Sequence, residues 1–538
     1  MNRIRPLLYP TKRYLTTKKL ITTPIYYVNS KPHIGHLYTN VISDVYSRYF
    51  ELTGDKVLQS TGCDEHGLKI YQASTKQSIT PQLFCDKIAY NFLKLKEKSE
   101  MKEDTIFIRT SEERHKKIIR EVWLELERKG YIYKDFYEGW YAISDEAFVK
   151  EEEVEKKGDK YYVKSSQSEV VWMNEPTYKF KLSMFKEQIQ QFILENENAI
   201  LPLTRRNEVL SLIEDGINDL SISRPTERVK WGIQVPNDNT QTIYVWLDAL
   251  FNYLTVTEYP DVNYRQYFDN RIHIVGKDIL KFHTIYWYGF CLALGLSLPK
   301  VVLAHGHWTN LGMKMSKSKG NSVDPIPLIE QFGSDPIRYF LLRNGGDFNM
   351  DSDFNENTLK VKYKKELVSL LGNLILRITS PSINPEQNIQ IITDTKEFNM
   401  EEHQLILQFN NIISQSNQYM LQYQPNKSIE LIINGLILAN QYIQKKEPWK
   451  LNNITDFDKK QKILYLLFEI IKITTILLLP IMPIKCNQIL TILNIDESKR
   501  NLSNIEFMKG WNITNNNKIH LINKEKLIEY SPLFPKLN

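Results

Sequence analysis

Residues 21–36 read Ile21-Thr22-Thr23-Pro24-Ile25-Tyr26-Tyr27-Val28-Asn29-Ser30-Lys31-Pro32-His33-Ile34-Gly35-His36, and the fold class turns on this stretch. Residues 21–28 are β-branched and aromatic, which predicts a buried strand. Asn29-Ser30-Lys31-Pro32 breaks it, and from residue 33 to 50 the apolar residues recur with helical spacing. His33, Gly35 and His36 therefore fall in the first turn of a helix, at the C-terminal edge of a strand. Helix N-termini offer unpaired N–H groups and a partial positive charge, which attract phosphate. Gly35 has no side chain to keep a flat ligand off the backbone, and two imidazoles can donate to charge developing on a phosphoryl group. Taken alone, two surface histidines capping a helix explain the same residues equally well.

A second stretch far downstream, Gly312-Met313-Lys314-Met315-Ser316-Lys317-Ser318-Lys319-Gly320-Asn321, holds three lysines and two serines between glycines. A solvated basic loop is the plain reading of a lysine run. The hydroxyls, the glycines and the apolar strand Val301-Val302-Leu303-Ala304 just upstream fit a mobile phosphate clamp. With the histidine motif in the same chain, the clamp is the better reading.

A chain of 538 residues is too long for one core and predicts about three domains. With 42% hydrophobic and 25% charged residues it has the composition of a soluble globular protein. Cys63, Cys85, Cys291 and Cys486 are scattered, which argues against a disulfide framework and a zinc knuckle. The net charge of +6 is local: Arg3, Arg5, Lys12, Arg13, Lys18 and Lys19 precede the first acidic residue, Asp44, and without them 63 basic residues face 63 acidic ones. A nucleic-acid footprint must then be a patch. The acid-free, basic leader over residues 1–20 reads as a mitochondrial transit peptide, placing the product in the matrix; a frayed terminus is the alternative. Residues 473–484, the most apolar run, are too short to span a membrane and contain Pro480 and Pro483.

Strands alternate with helices over residues 21–130, including a strand at 57–61. Short strands and charged turns fill 131–213, which reads as an insertion. Alternation resumes over 214–325, with strands expected at 243–247 and 272–275. A linker follows over 326–360. From 361 to 538 the pattern is helical, with amphipathic stretches at 365–377, 401–423, 428–445 and 459–479. A parallel sheet interrupted by an insertion, with its ligand cleft at the C-terminal strand ends, is the simplest architecture.

The runs Thr23-Pro24-Ile25-Tyr26-Tyr27-Val28-Asn29, Pro32-His33-Ile34-Gly35-His36-Leu37-Tyr38-Thr39, Gly62-Cys63-Asp64-Glu65-His66-Gly67, Val245-Trp246-Leu247-Asp248-Ala249-Leu250-Phe251-Asn252-Tyr253 and Val275-Gly276-Lys277-Asp278-Ile279 resemble the methionyl-tRNA synthetases of bacterial and organellar type. The likeness extends from about residue 20 through 449. It implies an α/β class I synthetase: a Rossmann-like parallel sheet with an inserted connective domain, then an all-α anticodon-binding helical bundle. It also implies the reaction. L-Methionine and ATP, as its Mg²⁺ complex, form methionyl-adenylate, and the methionyl group passes to tRNA(Met).

Site residues follow from the same resemblance. His33, His36, Lys314 and Lys317 would be catalytic. His33, Gly35, His36, Gly276, Lys277, Asp278, Trp308 and Lys317 would bind ATP, with Trp308 at the adenine. Asp64 would hold the α-ammonium by a charge-assisted hydrogen bond. Ile25, Tyr27, Trp246, Ala249, Tyr253, His283 and Trp287 would line a thioether pocket, aromatic walls suiting sulfur, and the Tyr253 hydroxyl would donate to that sulfur. Arg224 would sit on the site rim, or in a surface ion pair. Asn373 and Arg377, four apart on one helix face, would read the anticodon with Trp449. Without the family, core packing explains the tryptophans and a helix-surface pair explains Asn373 and Arg377.

Two departures from the family pattern matter. Ala142 and Asp145 stand where relatives carry zinc-binding cysteines, so no structural zinc is expected. No dimerising extension follows the helical region, so a monomer is expected. Two other readings compete. A class I synthetase for leucine, isoleucine, valine or cysteine is disfavoured by the short insertion and the missing zinc cysteines. A silent tRNA-binding relative is disfavoured by the intact motifs. Lys317→Ala should lose about 10²-fold or more in adenylate formation, the scale of removing one charge-stabilising donor; near-wild-type activation would remove Lys317 from the machinery.

Overall fold

The computed structural model describes residues 16–142, 147–164, 166–315, 320–392, 394–511, 518–521 and 533–535. Seven strands form the central sheet: β1 (Lys18–Thr22), β2 (Tyr26–Tyr27), β3 (Lys56–Asp64), β4 (Ile106–Arg109), β5 (Ile200–Leu201), β6 (Arg271–Gly276) and β7 (Val301–His305). Their order is β5-β7-β6-β1-β3, with β2 and β4 also paired to β3, and every pair is parallel. Such a sheet is covered on both faces, so its strands carry apolar residues in unbroken runs; all five residues of β7 are buried.

The strand expected over residues 21–28 is two strands. It starts three residues earlier, inside the segment read as leader, and breaks after Thr22. Thr22 pairs with Ser60 and Tyr26 with Cys63, so three residues, Thr23, Pro24 and Ile25, face two on β3. Pro24 has no N–H for the ladder, and the extra residue makes a bulge that re-aims the side chains around it.

Helix α1 (Ile34–Leu52) follows and buries Ile34, Leu37, Val41 and Val45 against Ile272, Ile274, Val301 and Leu303 of β6 and β7. The insertion is an antiparallel sheet built on Ile132–Ala142 paired with Glu169–Phe180. Its expected extent to residue 213 is too long, because Ile200–Leu201 already pairs with Val302–Leu303 in the central sheet. The strand expected at 243–247 is also corrected. Asp238–Ile243 belongs to a separate three-stranded sheet, and Val245–Leu250 is a helix. Leu247, Leu250, Phe251 and Leu254 are buried together at helical spacing, a period hidden in a short run where every residue is apolar or aromatic.

The last third is helical: Tyr363–Gly372 continues into Asn373–Thr379, and α2 (Met400–Leu421), α3 (Pro425–Lys446) and α4 (Phe457–Leu478) form the bundle. Asn399 and Glu402 close a capping box at the start of α2. α4 is buried nearly all round, including an ion pair between Glu469 and Lys472 at 2.7 Å. The tail strand Lys518–His520 pairs with Asn388–Gln390, and the carbonyl of Pro535 accepts from the Tyr363 hydroxyl. No described helix is long and apolar enough to cross a membrane.

The bundle is tied to α1 by Arg338. Its guanidinium donates to Asp44 Oδ2 on α1 at 2.6 Å, and to the carbonyls of Ser99, Pro480 and Ile481 at 2.9–3.0 Å. Asp44 also accepts from Arg48 and from the backbone N–H of Lys102. Burial pushes the Asp44 carboxyl up, but Arg338 and Arg48 outweigh it and hold the group below the ordinary carboxylate range. Arg338→Ala leaves that carboxylate buried with part of its compensation gone. The expected loss is about 3–5 kcal/mol in urea unfolding, the usual cost of breaking such a pair; a loss under 1 kcal/mol would show the pair is dispensable.

Candidate functional site

A cavity of about 280 Å³ opens at the C-terminal end of β1, β2 and β3, where ligands bind in open parallel sheets. Ile25 and Tyr27, carried by the bulge, form one side with Asp64 at the end of β3. Trp246, Ala249, Tyr253 and His283 form the other. The structure thus brings together seven of the eight residues assigned to methionine binding. Trp287 is the exception. It is fully buried behind Tyr253, ring centroids 5.8 Å apart, and donates its indole N–H to His273 Nε2 at 3.2 Å. Gly62 lets β3 and β4 close on each other here, since a Cβ would lie 2.0 Å from the Ile108 carbonyl oxygen.

The deep end of the cavity is polar but uncharged. His283 donates from Nδ1 to the Ile279 carbonyl at 2.9 Å, which leaves Nε2 to accept from the Tyr253 hydroxyl at 2.8 Å. Burial lowers the His283 pKa to about 4 and pushes the Tyr253 phenol well up, so both are neutral near pH 7. The Tyr253 proton is therefore committed to His283 rather than turned into the cavity as expected. Behind Tyr253, the His273 ring lies tilted with its centroid 4.1 Å away, and it bonds Thr22 Oγ1 at 2.8 Å. Trp246 stacks on Phe282 at 3.7 Å, nearly parallel.

The helix bearing Trp246 and Ala249 is pinned by a carboxylate that sequence reading missed. Asp248 accepts from His66 Nδ1 at 2.6 Å and from His115 Nε2 at 2.8 Å, all three buried. Burial pushes the Asp248 carboxyl up, but the two histidines prevail and hold it at about 2. His66 lies two residues past Asp64, so this contact joins the two sides of the cavity. These three residues stand at 66, 115 and 248, and no local spacing relates them.

At the start of α1, His33 Nδ1 accepts from the Gly35 N–H, and His36 Nδ1 accepts from the His33 N–H, both at 3.0 Å. Both rings are thereby set as Nε2–H tautomers, which makes each Nε2 a donor. The rings lie 4.0 Å apart. Gly35 is required by this cap itself, since a Cβ would sit 2.8 Å from His33 Cε1. His305, at the end of β7, accepts from Thr39 of α1 at 2.9 Å and is kept neutral by burial, its pKa lowered to about 4.

The other expected nucleotide contacts are arranged differently. Gly276 ends β6. Lys277 pairs with Asp351 at 2.8 Å, and Asp278 lies 3.0 Å from His307. Lys277 thus points at an acid that a phosphate must displace, an exchange that costs little for a partly exposed pair. Trp308 is not an adenine platform: it is 3% exposed, packed on Tyr38, Phe340 and Phe354, because strand alternation turns it into the core. The backbone of Lys314 pairs with Thr309, and Lys317 lies outside the described residues, as do residues 1–15 of the leader and Asp145. Arg224 is not at an exposed rim or on the surface; it is buried, over the Tyr244 ring at 4.4 Å.

In the bundle, Asn373 and Arg377 are exposed on one helix face, and Trp449 is 39% exposed in the turn after α3. A groove of about 540 Å³ on the bundle is lined by Leu370, Ile437, Asn440, Gln441, Gln444 and Lys445. The three amides project from one side of α3; their helical spacing was readable, but nothing local distinguished them from a solvated face.

Residues 19–379 match the family of class I tRNA synthetases (M), and residues 392–513 match the anticodon binding domain of methionyl tRNA ligase. The chain is 41% identical over 532 residues to a probable mitochondrial methionine–tRNA ligase of Dictyostelium discoideum, covering 95% of this chain and 92% of that one. It is 42% identical over 483 residues to a methionine–tRNA ligase of Rickettsia conorii, covering 89% and 93%. The structure resembles Mycobacterium tuberculosis methionyl-tRNA synthetase in complex with methionyl-adenylate, with a TM-score of 0.89 at 32% identity, covering 97% of this chain and 100% of that one.

Asp248 makes a test of the cavity frame. With its carboxyl at about 2 instead of 3.8, ionised Asp248 stabilises the fold by about 2 kcal/mol. That stabilisation is complete above the unfolded value and disappears as pH falls through the folded one. Asp248→Asn should lower the urea-unfolding free energy at pH 7 by about 1.5–3 kcal/mol, the scale of charged hydrogen bonds, with a smaller difference at pH 3. An equal loss at both pH values would show that the charge is not what matters.

Proposed function

The chain belongs to the methionyl-tRNA synthetases of class I and is an ATP-dependent methionine–tRNA ligase; on that premise we propose that it works in the mitochondrial matrix, as a monomer, on the mitochondrial tRNA(Met). The cavity carries the substrate assignment. It has a carboxylate, Asp64, in its lining for an ammonium group, and aromatic, uncharged walls for an unbranched thioether. Sulfur recognition rests on packing against Trp246 and Tyr253, with the tyrosine proton held by His283.

ATP enters as its magnesium complex. A carboxylate oxygen of methionine attacks the α-phosphorus, the bond to the β-phosphate oxygen breaks, and pyrophosphate leaves with the electrons. The terminal ribose hydroxyl of tRNA then attacks the activated carbonyl and AMP leaves. No protein nucleophile is needed, so the residues act by positioning and by charge. The Nε2–H groups of His33 and His36 are donors for the phosphoryl oxygens, with Lys314 and Lys317 on the clamp. Gly276, Lys277 and Asp278 form the ribose end. Asn373, Arg377 and Trp449, all exposed, read the anticodon by hydrogen bonding and stacking. The acid-free basic leader and the relatives named as mitochondrial support the matrix reading.

The test is methionine-dependent ATP–pyrophosphate exchange by the chain trimmed of residues 1–15, since β1 begins at Lys18, alongside leucine, isoleucine, valine and cysteine. Exchange with methionine alone is expected. Preference for another amino acid would overturn the pocket assignment. A fluorescent fusion of residues 1–20 that stays outside mitochondria would overturn the matrix reading.

A further inference from the structure

Resting on the methionine–tRNA ligase reading, we propose that Lys69 binds the α-carboxylate of methionine and so fixes the attacking group. Lys69 lines the same cavity as Asp64 and is partly buried there. Its ammonium lies 5.6 Å from the ring centroid of Tyr27, which borders the cavity. Free methionine is a zwitterion, and a cavity offering only Asp64 would repel one half of it. Among the described lining residues Asp64 is the acid and Lys69 the base, a pair complementary to the α-ammonium and α-carboxylate. His283 does not supply a second cation, since burial lowers its pKa to about 4.

The backbone supports this placement. Gly67, at φ 118°, turns the chain at the end of β3 in a region that favours glycine, and its N–H is held by the Trp231 carbonyl at 2.9 Å. Lys69 is then carried back over the cavity in the first turn of the helix Leu68–Lys76. A cation in that turn opposes the helix dipole, so local helix stability does not account for it.

Lys69 exchanges no proton in this role. The carboxylate oxygen forms its bond to the α-phosphorus, pyrophosphate departs, and the former carboxylate becomes the less negative carbonyl of a mixed anhydride. The contact is therefore strongest before reaction, and its loss falls on KM for methionine more than on kcat.

Pyrophosphate exchange by the wild-type chain, Lys69→Met and Lys69→Arg, together with inhibition by L-methioninol, which has the ammonium and thioether but no carboxylate, tests the assignment. Lys69→Met should raise KM for methionine about 10- to 100-fold, the range of a hydrogen bond to a charged group, with kcat within about 3-fold. Lys69→Arg should recover most of the loss. The inhibition constant of methioninol should stay within about 3-fold in Lys69→Met, which also reports an intact pocket. An unchanged KM for methionine, or an equal loss for methioninol, overturns the proposal. If the wild-type chain shows no methionine-dependent exchange, the ligase reading fails first and the proposal falls with it.

Discussion

A buried carboxylate on α1, Asp44, is held by Arg338, and the same guanidinium takes up the carbonyls of Ser99, Pro480 and Ile481. α1 carries His33 and His36 at its first turn, and Pro480 and Ile481 follow the central helix of the bundle. One fully buried cation thus sets where the first turn of α1 stands relative to the helical bundle. Burying charge is costly unless it is paired and hydrogen-bonded, and here each partner meets several groups. The apolar core spreads the same constraint, running from the inner face of α1 through the bundle as one cluster.

The active cavity uses burial differently. Its deep end is kept neutral: burial holds His283 unprotonated and the Tyr253 phenol protonated. Charge in the lining is carried by Asp64 and Lys69, and in the frame behind the walls Asp248 bridges His66 and His115. The division suits a substrate charged at one end and apolar at the other. It also excludes polar side chains of similar length, because an unpaired polar group would be stranded among neutral, already bonded partners.

Much of this was legible in local sequence. The strand, break and helix around His33 and His36 follow from residue type and spacing, as do the helices of the bundle and the parallel pattern of the sheet. The errors have identifiable causes. Residues 243–247 were read as a strand because a short apolar run carries no period of its own. The insertion was drawn too long because a two-residue strand, Ile200–Leu201, leaves almost no local signal. Trp287 and Trp308 were placed at ligands because their motifs suggest it, whereas neighbours distant in sequence, Tyr253 and Phe340, claim their rings.

The sequence by itself determined the chemistry available: imidazoles at a helix start, a lysine–serine clamp, an acid after a strand, aromatic residues at set intervals. These depend on residue type and on separations of a few positions, which backbone geometry converts directly into shared faces. Only the tertiary structure decided which side chains meet. Asp248 finds His66 and His115, Tyr253 spends its proton on His283, and Lys69 turns back over the cavity that holds Asp64. Hydrogen-bond partners and burial are set by groups that no local spacing relates, up to 182 residues apart for Asp248 and His66, and they exist only once the chain has closed on itself.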